Sequence, residues 1–306
     1  MTQRTPELEA FWTMCADRMV RRAKMTLAET RESFDNEMGA VPLAPDCTVE
    51  NFDLDGLPVE KITPKGAPAD KVLLYLHGGG HIFGSIRSHR HYVSRLAAAA
   101  DVTAFHIDYR LAPEHPYPAA IEDALNAYQH LLKQGIKPEN LIVGGESAGG
   151  NLAAALLLTL KDKGLPQPAG VYLLSPWLDM TTTADSYTRV GTRDPMITRA
   201  GIDGVAAAYL GGQPDNPITS PVRADPSGLP PMLIHVGSEE VLLSDSTTFA
   251  TNAAMTGIDV TLHVAAGMPH AWPLFHFYLP AGLDAIGEAA EWMKHRLANG
   301  RAAAAA

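Results

Sequence analysis

Cysteine is scarce in this chain: Cys15 and Cys47 are the two among 306 residues. Two thiols make no disulfide framework, and none of the metal-ligand cysteine spacings is present. A reducing, cytoplasmic setting and no bound metal are therefore expected. Long apolar runs are missing too. The stretch Leu152 to Leu160 is far shorter than the ~20 residues of a membrane-spanning helix and reads as a buried helix. Met1 to Glu7 has no apolar core of the kind a secretory signal carries, so no membrane association is expected. Positive charge is also short: 24 Lys and Arg stand against 34 Asp and Glu, a formal net charge of −10. With no basic stripe, a nucleic-acid partner is not expected, and the acidity serves solubility. There is no Gly-x-x-x-x-Gly-Lys-Ser/Thr, which argues against a phosphate-cradling loop. No internal repeat is found.

What remains is an ordinary hydrophobic share, 46%, enough for one large α/β domain. Residues 49–54 and 59–62 alternate polar with apolar around a turn at Gly56, as an antiparallel start would. Residues 71–76, 102–107, 141–143, 171–174, 232–236 and 260–264 are short apolar runs suited to buried strands. Helical patterns fall between most of them, at 89–100, 119–134, 151–163 and 246–255, and a last one covers 283–297. Eight strands with alternating helices predict a mostly parallel sheet covered on both faces. Two segments stand outside the alternation. Residues 1–45 read as helical, with Leu8, Phe11, Trp12, Cys15 and Met19 at helical spacing. Between Trp177 and Pro230 no strand appears, only Gly, Pro and Asp clusters and a helical piece at 199–210. The expected organisation is an N-terminal helical cap part at 1–45 and a catalytic domain at 46–300. A cap insertion falls at about 180–215, and a tail at 301–306.

The chemistry centres on Gly145-Glu146-Ser147-Ala148-Gly149. This Gly-x-Ser-x-Gly follows an apolar strand and precedes a small-residue helix, the context of a nucleophile elbow. A serine hydroxyl needs a base, a group to orient the base, and donors for the oxyanion it generates. His270 follows the last strand and is the base candidate. His89 and His91, flanking Arg90, read as surface residues, and His106 and His263 lie inside strands. Glu239, Glu240 and Asp245, after the penultimate strand, are acid candidates, and Asp179 is topologically possible. Asp194 is set aside because no strand delivers it. His77-Gly78-Gly79-Gly80 ends a strand with bare backbone that can offer N–H groups, and Ala148 supplies a third donor.

These segments carry a resemblance, together with Asp108-Tyr109-Arg110-Leu111-Ala112-Pro113-Glu114-His115-Pro116-Tyr117-Pro118-Ala119-Ala120 and Ser175-Pro176-Trp177-Leu178-Asp179. From about Lys71 to Trp272 the chain resembles the bacterial hormone-sensitive-lipase-like (family IV) carboxylesterases of the α/β-hydrolase superfamily. The resemblance implies an α/β-hydrolase fold with an eight-stranded, mostly parallel sheet covered by helices, a helical cap and no cofactor. It implies hydrolysis of short- to medium-chain acyl esters, small molecules, through an acyl-enzyme. The family's acid lies in Gly-x-x-Asp-Pro-Leu-x-Asp, and laid on Gly237 that position falls on Glu240, a departure from Asp. The implied catalytic set is Ser147, Glu240 and His270, with Gly79, Gly80 and Ala148 as oxyanion donors. Glu146 reads as a structural carboxylate beside the elbow, and Arg110 and His115 as loop braces. Phe83, Trp272 and Trp12 are expected to meet the substrate, and a homodimer to form through residues 260–264 and 283–297. Two alternatives stay open: a lactone or amide hydrolase with the same residues, and a non-catalytic small-molecule receptor, which would be expected to lose the nucleophile or base.

Overall fold

A computed structural model describes residues 5–191 and 193–303. Two helices come first, α1 (Pro6–Arg22) and α2 (Leu27–Met38). Thr5 caps α1, and Thr26 with Glu29 forms a capping box on α2. Each cap gives an orphan first-turn N–H an acceptor, which splits the N-terminal apolar pattern into two helices. The hairpin β1 (Cys47–Leu54) and β2 (Leu57–Pro64) follows. Its turn residues Asp55 and Gly56 both have positive φ, 52° and 91°, the twist that two-residue hairpins favour.

Then strands and helices alternate: β3 (Val72–Leu76), α3 (Ile86–Ala100), β4 (Thr103–Ile107), α4 (Ala119–Lys133), β5 (Leu141–Glu146), α5 (Ala148–Asp162) and β6 (Gly170–Leu174). After the long segment holding α6 (Asp185–Arg189) and α7 (Arg199–Leu210) come β7 (Met232–Gly237), α8 (Leu243–Met255), β8 (Val260–Ala265) and α9 (Ala281–Ala303). The strands form one eight-stranded sheet, β1-β2-β4-β3-β5-β6-β7-β8. Only the β1–β2 and β2–β4 pairs are antiparallel. β3, β5, β6 and β7 are buried at every position, as strands covered on both faces must be. One core lies between the sheet and α4, α5 and α8, and the other between the sheet and α3 and α9.

The expected strands and helices are present, with helix starts reaching up to three residues earlier. α8 begins at Leu243, so Asp245 already lies in its first turn. α9 runs on to Ala303, past the expected tail boundary at 301, and residues 304–306 lie outside the described residues. No helix among the described residues is long and apolar enough to cross a membrane.

Candidate active site

The carboxyl ends of β3, β5, β7 and β8 deliver four loops to one place, where open α/β sheets gather their ligands. β5 ends at Glu146, and α5 starts at Ala148. Between them Ser147 has φ 55° and ψ −120°, a strained conformation for a residue with a Cβ. Its N–H donates to the Leu174 carbonyl (2.9 Å), and its own carbonyl accepts from Trp177 N–H (3.0 Å), so β6 and the loop after it lock the turn. The flanking glycines let it close. A Cβ on Gly149 would stand 2.0 Å from the carbonyl oxygen of Leu76, and one on Gly145 would stand 2.3 Å from that of Gly149.

On the neighbouring strand the chain turns through Gly78, Gly79 and Gly80. Gly79 has φ +110°, and a Cβ there would lie 2.0 Å from the Phe83 carbonyl oxygen, so only glycine fits without movement. Buried Glu146 holds this loop: its carboxylate accepts from Gly78 N–H and from the Tyr75 hydroxyl (2.5 Å) and pairs with His89 Nε2 at 2.8 Å. Burial pushes its pKa upward, but the His89 pair and the Tyr75 bond outweigh that and hold it below the usual carboxylate range. Tyr109 donates to the His77 carbonyl (2.6 Å) and Ala112 N–H to that of His81 (2.8 Å). The segment after β4 thus braces the glycine loop from below. Arg110 instead binds Asp123 and Glu122 on α4.

His89 and His91 depart from the surface reading: both are buried, His89 against Glu146 and His91 with its Nδ1 3.2 Å from His276 Nε2. Arg90 between them points the other way and pairs with Glu60 (2.6 Å). Counting on from His89, Tyr92, Val93 and Leu96 follow at helical i+3, i+4 and i+7, which was the available signal that His89 shares their buried face.

His270, after β8, lies 2.8 Å through Nδ1 from Glu240 Oε2. The other oxygen of Glu240 accepts from the Ser175 hydroxyl (2.6 Å) and Gly237 N–H. Ser175 Oγ also accepts from Ala271 N–H (3.1 Å), so one hydroxyl ties the carboxylate to the chain beside His270. Nothing in the sequence marked Ser175 for this, since it reaches Glu240 only through the β6–β7 neighbourhood. Burial works against the charged imidazolium, yet the Glu240 hydrogen bond and charge, with Asp194 and Glu146 behind them, raise the His270 pKa above its ordinary value. The carboxylate fixes the proton on Nδ1 and leaves Nε2 to accept.

The remaining acid candidates face elsewhere. Glu239 pairs with Arg193 (3.6 Å), Asp179 accepts from Thr181, and Asp245 accepts from the N–H groups of Leu178 and Asp179. Asp194 is buried and accepts from Val241 N–H (3.0 Å), next to Glu240, and from Met196 and Ile197 N–H. It straps the segment after β6 onto the loop that carries Glu240.

Ser147, His270, Gly79 and Gly80 line one cavity of about 270 Å³. Its other side is helical and mostly apolar: Cys15 and Met19 of α1, Phe34 of α2, Met196 and Ile197, and Ile202 and Val205 of α7. Phe83 lines it as well, with Arg22 stacked over its ring (5.3 Å). Trp12 and Trp272 are not among the lining residues. Trp12 donates through Nε1 to the Arg193 carbonyl (3.3 Å), and Trp272 is buried and donates to that of Ala281 (3.3 Å). Ala148 is buried as the first residue of α5, whose leading N–H groups have no acceptor within the helix. Burial pushes the Cys15 thiol up to about 12, which leaves it protonated and unreactive at neutral pH.

A family profile described as the alpha/beta hydrolase fold matches residues 73–274. The chain is 42% identical over 225 residues to an acetyl-hydrolase of Streptomyces hygroscopicus, covering 73% of this chain and 75% of that protein. It is 37% identical over 253 residues to an esterase of Acinetobacter venetianus, covering 82% and 83%. Among solved structures, the esterase EstE5 soaked with p-nitrophenyl butyrate superposes with a TM-score of 0.91 at 41% identity, over 96% of this chain and all of that one. An esterase from the bacterial hormone-sensitive lipase family gives 0.91 at 40%, over 97% and 100%. The chain therefore belongs to the α/β-hydrolase fold family, and within it to the carboxylesterases of the bacterial hormone-sensitive-lipase group.

Proposed function

We propose that Ser147, His270 and Glu240 hydrolyse short- to medium-chain acyl esters through an acyl-enzyme, with Gly79, Gly80 and Ala148 as oxyanion donors. The observation that carries the reading is His270, 2.8 Å from buried Glu240 and lining the same cavity as a serine held at positive φ. His270 Nε2 takes the Ser147 proton as Oγ attacks the ester carbonyl. Glu240 stabilises the imidazolium that forms. The backbone N–H groups hold the developing oxyanion; Gly78 is left out because its N–H is already given to Glu146. The alcohol leaves with the proton from His270. Water then attacks the acyl-serine with His270 again as base, and the carboxylic acid is released.

The short-chain preference rests on cavity size, since about 270 Å³ is slightly smaller than the ~300–1,000 Å³ of drug-sized sites. The acetyl-hydrolase name of one relative points the same way. We read α1, α2 and the segment holding α6 and α7 as the cap, because they form the cavity's helical side. The two free cysteines fit a reducing compartment. β8 is an edge strand with Leu262 and Val264 partly exposed, which supports homodimer pairing there; a monomeric mass by light scattering would reject it.

Turnover of 4-nitrophenyl esters from acetate to palmitate tests the substrate range, and a maximum at long chains overturns it. A fluorophosphonate that fails to label Ser147 would favour the receptor alternative.

A further inference from the structure

A second cluster of chemically capable side chains lies apart from this cavity. In the β7–β8 pair His235 stands opposite His263, so both rings project from the same face, with centroids 5.3 Å apart. α9 crosses that face and brings Glu288 to them. Glu288 Oε2 is 2.7 Å from His263 Nδ1 and 3.5 Å from His235 Nε2, and the three ligand atoms all lie within 4.8 Å of one another.

His235 is the informative member. It is fully buried, and its Nε2 has no hydrogen-bond partner. Its other nitrogen stands 3.4 Å from the Tyr172 hydroxyl. Both polar contacts of the ring are thus too long to be good hydrogen bonds, and a buried polar atom left so is costly. With the Nδ1 proton directed at Tyr172, Nε2 presents a lone pair toward a carboxylate oxygen. In that tautomer two electron-rich atoms face each other, and a cation between them would satisfy both.

We propose that His235, His263 and Glu288 bind one divalent transition cation, Zn²⁺ foremost. Two imidazole nitrogens and one carboxylate oxygen are a ligand set this ion takes, with a fourth position left for water. Tyr172 behind Nδ1 orients the buried ring, as partners of ligating histidines do. The side chains of His263 and Glu288 are 41% and 52% exposed, which gives the ion an entry path and lets both rotate onto it. The sequence expectation of no metal looked for cysteine spacing, and these ligands come from three separate elements. The bound ion would clamp α9 to the sheet edge. It also sits behind the reaction loops: His235 stacks on Trp272 (centroids 6.1 Å), two residues past His270, and precedes by two the Gly237 N–H that donates to Glu240.

The test titrates Zn²⁺ into the untagged, chelator-treated full chain and into His263→Ala and Glu288→Gln. The readouts are thermal unfolding, stoichiometry by native mass spectrometry, and the visible absorption of Co²⁺ used in place of Zn²⁺. Wild type should take up one equivalent, unfold at higher temperature by mass action and give a tetrahedral Co²⁺ spectrum. Each variant should lose affinity by more than the roughly 10–100-fold that removal of a group behind a ligand costs. Both variants replace partly exposed side chains, and retained ester hydrolysis in metal-free buffer shows that they fold. Equal Zn²⁺ uptake by wild type and variants would assign the ion to other histidines and overturn the proposal. So would a wild type whose unfolding does not respond to Zn²⁺, which would leave a plain His–Glu pair.

Discussion

The two sides of the candidate active-site cavity are built on opposite principles. The strand-end side is polar and closed on itself: Glu146 binds Gly78, Tyr75 and His89, and Glu240 binds His270, Ser175 and Gly237. The helical side is mostly apolar, with Cys15, Met19, Ile202 and Val205 touching the space through shape alone, and its two guanidinium groups, Arg18 and Arg22, turned onto Glu37 and onto the rings of Phe34 and Phe83. Where each group has a defined partner, a change of one atom leaves a buried charge or donor unmet. Where packing is apolar, a neighbour can relax, and discrimination between substrates is worth only about 1–3 kcal/mol per methylene. Changes on the strand-end side should therefore abolish chemistry, and changes on the helical side should re-rank substrates.

The largest effect is expected from Ser147→Ala. The proposed mechanism forms no acyl-enzyme without the Ser147 hydroxyl, so kcat on 4-nitrophenyl butyrate should fall by roughly 10⁶-fold. The fold should survive, since the turn is held by backbone bonds to Leu174 and Trp177. Turnover near wild type with an intact circular dichroism spectrum would remove Ser147 from the reaction.

Glu240→Gln should come next, at roughly 10⁴-fold in kcat, because an amide can hold the imidazole in the wrong tautomer. It carries a second signature. In the proposed mechanism His270 must be neutral to act as base, and Glu240 helps raise its pKa above the ordinary value against the effect of burial. Wild-type kcat/KM should therefore drop as pH falls through a value above the usual ~6.5 of histidine. Removing the Glu240 charge should shift that limb to lower pH while the plateau falls. A limb that stays in place would give the orienting role to another carboxylate, Asp194 being the nearest rival.

Gly79→Ala is a smaller perturbation of the same side. The added Cβ meets the Phe83 carbonyl oxygen at 2.0 Å, at a φ of +110°, so the loop must shift and its N–H groups with it. A loss of about 10²–10³ in kcat, with KM little changed, is the expected cost of a displaced oxyanion donor. A rise in KM alone would mark the loop as a binding surface.

The same contrast governs what could be read from the sequence. The meeting of Ser147, His270 and the glycine loop is legible because Ser147 and His77 directly follow β5 and β3 and His270 lies in the loop after β8, and strand order fixes where loop residues arrive. Counting from Gly237 along the motif the chain resembles leads to Glu240, and the fold sets that residue 2.8 Å from His270. Ser175 was not legible, because its bonds to Glu240 and Ala271 exist only once β6 and β7 pair. Asp194 was set aside for lacking a strand, yet a loop strapped across the cavity brings it to Val241 N–H. The helical side was the least legible. Aromatic residues at helical spacing suit packing and substrate binding equally, and only assembly separated Phe83, on the cavity, from Trp12 and Trp272, which are not among its lining residues.

The helical side should yield the smallest catalytic effect and the clearest change in preference. Ile202 is buried on α7, lines the cavity and packs with Ala206 and Tyr209 in one small hydrophobic cluster. Ile202→Ala removes three carbons from the wall opposite Ser147. Longer acyl chains gain room, while short chains bury little apolar surface against this wall in either form. The ratio of kcat/KM for hexanoate to that for acetate should rise about tenfold, the scale of one or two methylenes in an apolar pocket. Hydrolysis of acetate should stay within a few-fold of wild type, because no hydrogen-bonded group on the strand-end side has moved. Stability should fall by about 2–5 kcal/mol, as for other buried Ile→Ala changes, and urea unfolding checks that cost separately. A loss of acetate turnover as large as that from Gly79→Ala would show that the helical side also positions the reacting atoms, and the division between the two sides would then fail.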